Sequence, residues 1–167
     1  MTQKFIIHED CELYTSHGSV SMPVIFNAFK KGALTPDFKV AGFKPQGEET
    51  SNILDVKDIY AATGKLIRVS GAGLRDHNII IYPYHKIMNI EGKAVEVTSL
   101  KPNDVTISMN GFLTIGFIAD LGEKEMQKFY LVELNDNMKT LFVSNVILFS
   151  LEESKKEDPF FDQTSPD

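Results

Sequence analysis

The feature that most constrains this chain is the period of its apolar residues. Apolar and polar side chains alternate with a period of two along most of its length. The alternation resets at turn signals roughly every eight to twelve residues, the pattern of an antiparallel all-β domain. Successive strand residues point to opposite faces, so this alternation buries one face of a sheet and wets the other. Residues 4–8, 12–15, 19–26, 38–43, 53–60 and 65–70 read as the first strands. Pro23 has no N–H for a ladder, which pushes its strand to an edge or a bulge. Only residues 23–31 compete as a short helix, because Phe26, Ala28 and Phe29 break the alternation ahead of Gly32.

The second half carries the clearest turn chemistry. Residues 85–90 and 93–97 flank Glu91-Gly92, residues 104–109 and 112–119 flank Asn110-Gly111, and residues 127–134 and 140–149 flank Asn135-Asp136-Asn137. The X-Gly loops tolerate the positive φ that twisted hairpins need, and short amide and carboxylate side chains close turns on their own backbone. Each pair is expected to form a hairpin. Asp104, in Leu100-Lys101-Pro102-Asn103-Asp104, reads as a turn residue that accepts backbone N–H groups.

At 167 residues, 43% hydrophobic and 24% charged, the chain is long enough for one real core without a disulfide or metal. A single domain is expected over residues 1–151, followed by a flexible acidic tail over 152–167, where the pattern gives way to charge and proline. Phe160 and Phe161 in that tail are candidate binding residues for a protein partner. The formal charge of −6 repels a phosphate backbone, which argues against nucleic acid. Residues 112–119 and 143–149, the longest apolar stretches, fall far short of the ~18 residues of a spanning helix. The N-terminus has only three consecutive apolar residues before charge returns, too short for a signal-peptide core. With one cysteine, a cytoplasmic location is expected.

No cofactor is expected. Gly71-Ala72-Gly73 lacks the Lys-Ser/Thr of a phosphate loop, and no Gly-x-Ser-x-Gly elbow is present. His8, His17 and His77 share no metal-ligand spacing with one another or with Cys11, so no metal is expected either.

A family pattern lies within this frame. Ile79-Ile80-Ile81-Tyr82-Pro83-Tyr84-His85-Lys86-Ile87-Met88, then Glu91-Gly92, Ala94 and Ser99-Leu100-Lys101-Pro102-Asn103-Asp104-Val105, resembles the second conserved block of the hedgehog and intein (Hint) fold. Phe129-Tyr130-Leu131-Val132-Glu133 and Phe142-Val143-Ser144-Asn145-Val146-Ile147-Leu148 are similar to the last two strands of that family. Leu13-Tyr14-Thr15-Ser16-His17-Gly18-Ser19-Val20 is similar to its opening strand and turn. The resemblance spans about Glu9 to Ser150 and implies an all-β Hint-like antiparallel architecture.

It also implies a chemistry, in part. In the family a first-residue Cys or Ser attacks the carbonyl just before it, while a histidine protonates the scissile amide. His85 takes the histidine's place. Tyr82 stands where the family has a threonine, and Phe149-Ser150 where it has the terminal His-Asn pair whose asparagine cyclises. The supporting carboxylate would fall near Tyr130 or Leu131. Thr15 and Gly18 come too soon after Cys11 for it to align as the nucleophile, and only ten residues precede it to be spliced. Splicing is therefore not expected. The expected role is a stand-alone module that binds protein or supports structure, like orphan copies in phages and other mobile elements. The alternative is residual autoprocessing, in which Cys11 attacks the Asp10 carbonyl with help from His85 and releases a short leader. The acidic Glu9-Asp10 pair argues against it by raising the thiol pKa.

Overall fold

The computed structural model describes residues 1–71, 73–109, 111–121 and 126–155. The chain runs through β1 (Thr2–His8), β2 (Glu12–Thr15), β3 (Gly18–Ser21), α1 (Met22–Lys30), β4 (Val40–Lys44) and β5 (Gly47–Ser51). It continues through β6 (Ile53–Ala61), β7 (Lys65–Gly71), β8 (Leu74–Ile81), β9 (Lys86–Met88), β10 (Ala94–Glu96) and a 3-10 turn (Val97–Ser99). The last elements are β11 (Val105–Ser108), β12 (Gly111–Asp120), β13 (Gln127–Asn135), β14 (Thr140–Val143), β15 (Val146–Phe149) and the short α2 (Leu151–Ser154).

Among the described residues the strands form two sheets, ordered β11-β12-β7-β8-β1-β13-β6 and β10-β9-β15-β14-β2-β4-β5, with β3 beside β2. Every pairing between strands is antiparallel, as the period of two predicts. One apolar cluster spans both sheets, with Phe5, Ile67 and Leu113 from the first, Leu13 and Leu141 from the second, and Met22 and Ile25 from α1. Each such fully buried side chain contributes about 1.5–3 kcal/mol relative to exposure.

The chain crosses from the first sheet to the second between β1 and β2, between β8 and β9, and between β13 and β14. Each crossing is a tight turn. Cys11 N–H donates to the His8 carbonyl, His85 N–H to that of Tyr82 and Met138 N–H to that of Asn135, all at 3.0–3.1 Å.

Several expectations are corrected here. The strand over residues 19–26 stops at Ser21, and Pro23 sits in the first turn of α1, where its missing N–H costs nothing. The turn at Asn135-Asp136-Asn137 joins two sheets instead of closing a hairpin, because β13 pairs with β1 and β6 while β14 pairs with β15 and β2. The strand over residues 140–149 is itself a hairpin, reversed at Ser144 and Asn145, whose φ values are 44° and 75°. The other two hairpins form as expected, β9 with β10 and β11 with β12, although Asn110 lies outside the described residues. Asp104 accepts the Lys101 N–H at 2.9 Å, the turn role expected of it. The tail boundary expected at Glu152 falls inside α2, whose Ser154 is buried. Phe160 and Phe161 lie outside the described residues.

Close approach of β4 to β14 depends on one residue. A Cβ on Gly42 would stand 2.1 Å from the Thr140 carbonyl oxygen, a backbone atom that cannot rotate away. The adjacent Thr140 Oγ1 accepts the Phe43 N–H at 2.8 Å and donates to the Phe43 carbonyl at 2.9 Å. Gly42→Ala should therefore destabilise the domain by on the order of 3 kcal/mol in urea unfolding. Gly116→Ala, where the nearest atom would be Arg68 O at 3.8 Å, should leave the midpoint nearly unchanged.

Candidate functional site

His85 immediately precedes β9 at the crossing from the first sheet to the second, and only 1% of it is exposed. Its Nε2 accepts the Ile6 N–H of β1 at 2.9 Å, which places the ring proton on Nδ1. Nδ1–H then donates to the Phe149 carbonyl at the end of β15, 2.8 Å away. The ring stacks on Phe5 at 6.1 Å and meets the edge of Tyr82 at 6.2 Å. Burial pulls its pKa from 6.5 down to about 4, against a smaller opposing pull from the Phe149 carbonyl. The imidazole is neutral near pH 7, with both nitrogens engaged by backbone. To act as a general acid toward the Ile6 amide it would need a second proton, on Nε2.

Cys11 follows the crossing from β1 to β2 and is 2% exposed. Its thiol faces the Ile80 carbonyl at 3.7 Å. Burial pushes its pKa from 9.0 up to about 12, and the Asp10 charge adds to this while a hydrogen bond with Ser144 opposes it. Such a thiol is almost wholly protonated at neutral pH and is a poor nucleophile. The peptide N–H of Cys11 is bound to the His8 carbonyl, whereas the amide that His85 faces belongs to Ile6. Among the described residues, the hydrogen bonds and ring contacts of the two candidate residues have no partner in common.

The neighbouring positions are equally committed. Ser150 Oγ donates to Gln3 Oε1 at 2.5 Å and accepts the Glu153 N–H at 3.1 Å, capping α2. Gln3 Nε2 in turn reaches the Asp136 carbonyl at 3.2 Å. Glu152 accepts the Lys4 N–H at 2.8 Å, and Ser154 Oγ accepts the Lys86 N–H at 2.9 Å. Tyr130 is buried with its ring against Phe26 of α1. The residue pattern Ser150-x-x-Glu153 is the sequence signature of a helix cap, a signal for the role Ser150 takes here that the family pattern does not carry. Nothing in the sequence singles out Gln3.

A cleft of about 630 Å³ opens beside His85, walled by Ile6, Tyr82, Pro83, Tyr84, Glu96, Leu151 and Lys155 among others. His8 is also buried, its Nδ1 accepting the Asp10 N–H at 3.1 Å and its Nε2 lying 2.9 Å from Gln127 Oε1. Among the described residues no three metal-ligating side chains converge. No helix among them is long and apolar enough to cross a membrane.

No protein-family model matches the chain, and no curated protein matches it in sequence. Solved structures do match in fold. The bacterial intein-like domain from Clostridium thermocellum is similar with a TM-score of 0.66 at 16% identity, covering 89% of this chain and 98% of that one. The TvoVMA intein is similar with a TM-score of 0.66 at 12% identity, over 87% and 97% of the two chains. A DnaB intein from Synechocystis sp. PCC 6803 gives 0.65 at 12% identity over the same shares. The expected all-β Hint-like architecture is the one this chain has: an intein-like Hint fold.

The buried imidazole makes stability depend on pH. The unfolded ring takes up its proton near 6.5 and the folded ring only near 4, so protonation favours unfolding. Its contribution is complete above about pH 6.5 and is lost as the pH falls toward 4, by on the order of 3 kcal/mol in all. His85→Asn removes the titrating group. It should cost about 1–3 kcal/mol at neutral pH through the orphaned Ile6 N–H. Its urea midpoint should then fall less than that of the parent between about pH 7 and about pH 5.

Proposed function

We propose that this Hint-fold domain no longer splices or cleaves itself and serves as a module that binds protein or supports structure. The observation that carries the reading is the amide His85 faces. In the family the histidine protonates the scissile nitrogen, which belongs to the nucleophilic residue itself. Here the amide that His85 faces is the Ile6 N–H, and the Ile6 side chain is a hydrocarbon with no nucleophilic atom.

Three further features support it. The ring presents a lone pair to that nitrogen where an acid would present a proton. Ser150 has no carboxamide to cyclise, and its hydroxyl is spent on Gln3 and the α2 cap. The family's carboxylate would fall near Tyr130 or Leu131, neither of which carries one, and Tyr130 packs its ring against Phe26. Burial holds the Cys11 thiol protonated, which opposes residual cleavage there.

The test is intact mass after expression with a short N-terminal tag, with and without dithiothreitol. The full mass should persist in both, and Cys11→Ala should change nothing beyond its own mass difference. Release of the tag together with the residues through Asp10, abolished by Cys11→Ala, would overturn the reading.

A further inference from the structure

We infer that the cleft beside His85 is a docking site for this chain's own Phe160-Phe161 segment. The inference does not require Cys11 to react, and its test reads a crosslink and amide exchange where that of the proposed function reads cleavage.

The cleft has the size of a ligand site, about 630 Å³. One wall is an aromatic ledge, with Tyr82 and Tyr84 ring centroids 5.3 Å apart and Pro83 between them in sequence. Tyr84 is 70% exposed. A large ring held against a second ring and left open to solvent offers a face for a third, and such aromatic pairs add about 0.5–1.5 kcal/mol beyond area burial. Leu151 adds an aliphatic side chain to the lining.

The occupant is indicated by where the described chain stops. Lys155, its last residue, is itself part of the cleft wall. Phe160 and Phe161 follow five and six residues later, within roughly 17–20 Å even for a fully extended chain. A tether this short holds the rings at an effective concentration on the order of millimolar, which an untethered second copy would have to match in bulk. Lys155 in the wall carries a charge opposite to that of Glu157, Asp158 and Asp162, which flank the two phenylalanines.

The test uses the full chain with a benzophenone amino acid at position 161, irradiated at low concentration and mapped by peptide mass. The expected product is an intramolecular crosslink to residues 82–86, lost in Tyr84→Asp. Tyr84 is exposed, so that variant is expected to fold. As a second reading, Phe160→Ser with Phe161→Ser should speed amide hydrogen exchange at residues 84–86. Crosslinked dimers, a crosslink to a peptide away from the cleft, no crosslink at all, or unchanged exchange in the double variant would each overturn the inference.

Discussion

The imidazole of His85 is the interaction on which the joint between the two sheets depends. It takes an N–H from β1 in the first sheet and gives its own to a carbonyl at the end of β15 in the second. β1 needs this partner because its pairing with β8 is confined to Ile7 and Ile81, whereas its other edge pairs with β13 along its whole length. Buried backbone donors without acceptors are costly. The open edge is closed by side chains: Glu152 at Lys4 and His85 at Ile6. Ser150, Gln3 and Ser154 extend the same lock from α2 to the β13–β14 crossing and to β9.

A histidine with this duty is held in the state that suits the duty. Burial favours the neutral ring, and the neutral ring with Nδ1 protonated is the form that answers both backbone groups. The environment of Cys11 acts in the opposite direction on an acid, driving the thiol up to about 12 while the imidazole is drawn down to about 4. Nucleophile and proton donor work together when their pKa values approach the working pH, and here both have moved away from it. The Hint architecture holds together as a packing solution with a polar joint, and likeness to solved structures at 12–16% identity shows that architecture alone.

What was legible in the sequence follows from the range of each interaction. The period of two gave the all-β class, and local turn chemistry gave the hairpins at Glu91-Gly92 and Asn110-Gly111, because residues a few positions apart decide both. Sheet membership was not legible. Asn135-Asp136-Asn137 turns the chain as its side chains suggest, yet only burial of β13 beside β1 reveals that it joins two sheets. Residues 23–31 balanced helix against strand locally, and the burial of Met22 and Ile25 in the shared core settles them as α1. β5 carries no apolar alternation of its own, because Gly47–Ser51 is mostly polar and exists by pairing with β4. His85 was legible as a residue of interest through its family pattern. Its partners were not, since Ile6 and Phe149 lie 79 and 64 residues away and contribute only backbone atoms.

The central claim is that His85 is a neutral bridge between sheets and not a proton donor. The most direct measurement is the pH dependence of its ring 15N chemical shifts in the intact chain. The account predicts a ring protonated at Nδ1 and unprotonated at Nε2 near neutrality, with no titration until the pH approaches about 4. A midpoint near the ordinary imidazole value of about 6.5, or a proton resident on Nε2 at neutral pH, would contradict it.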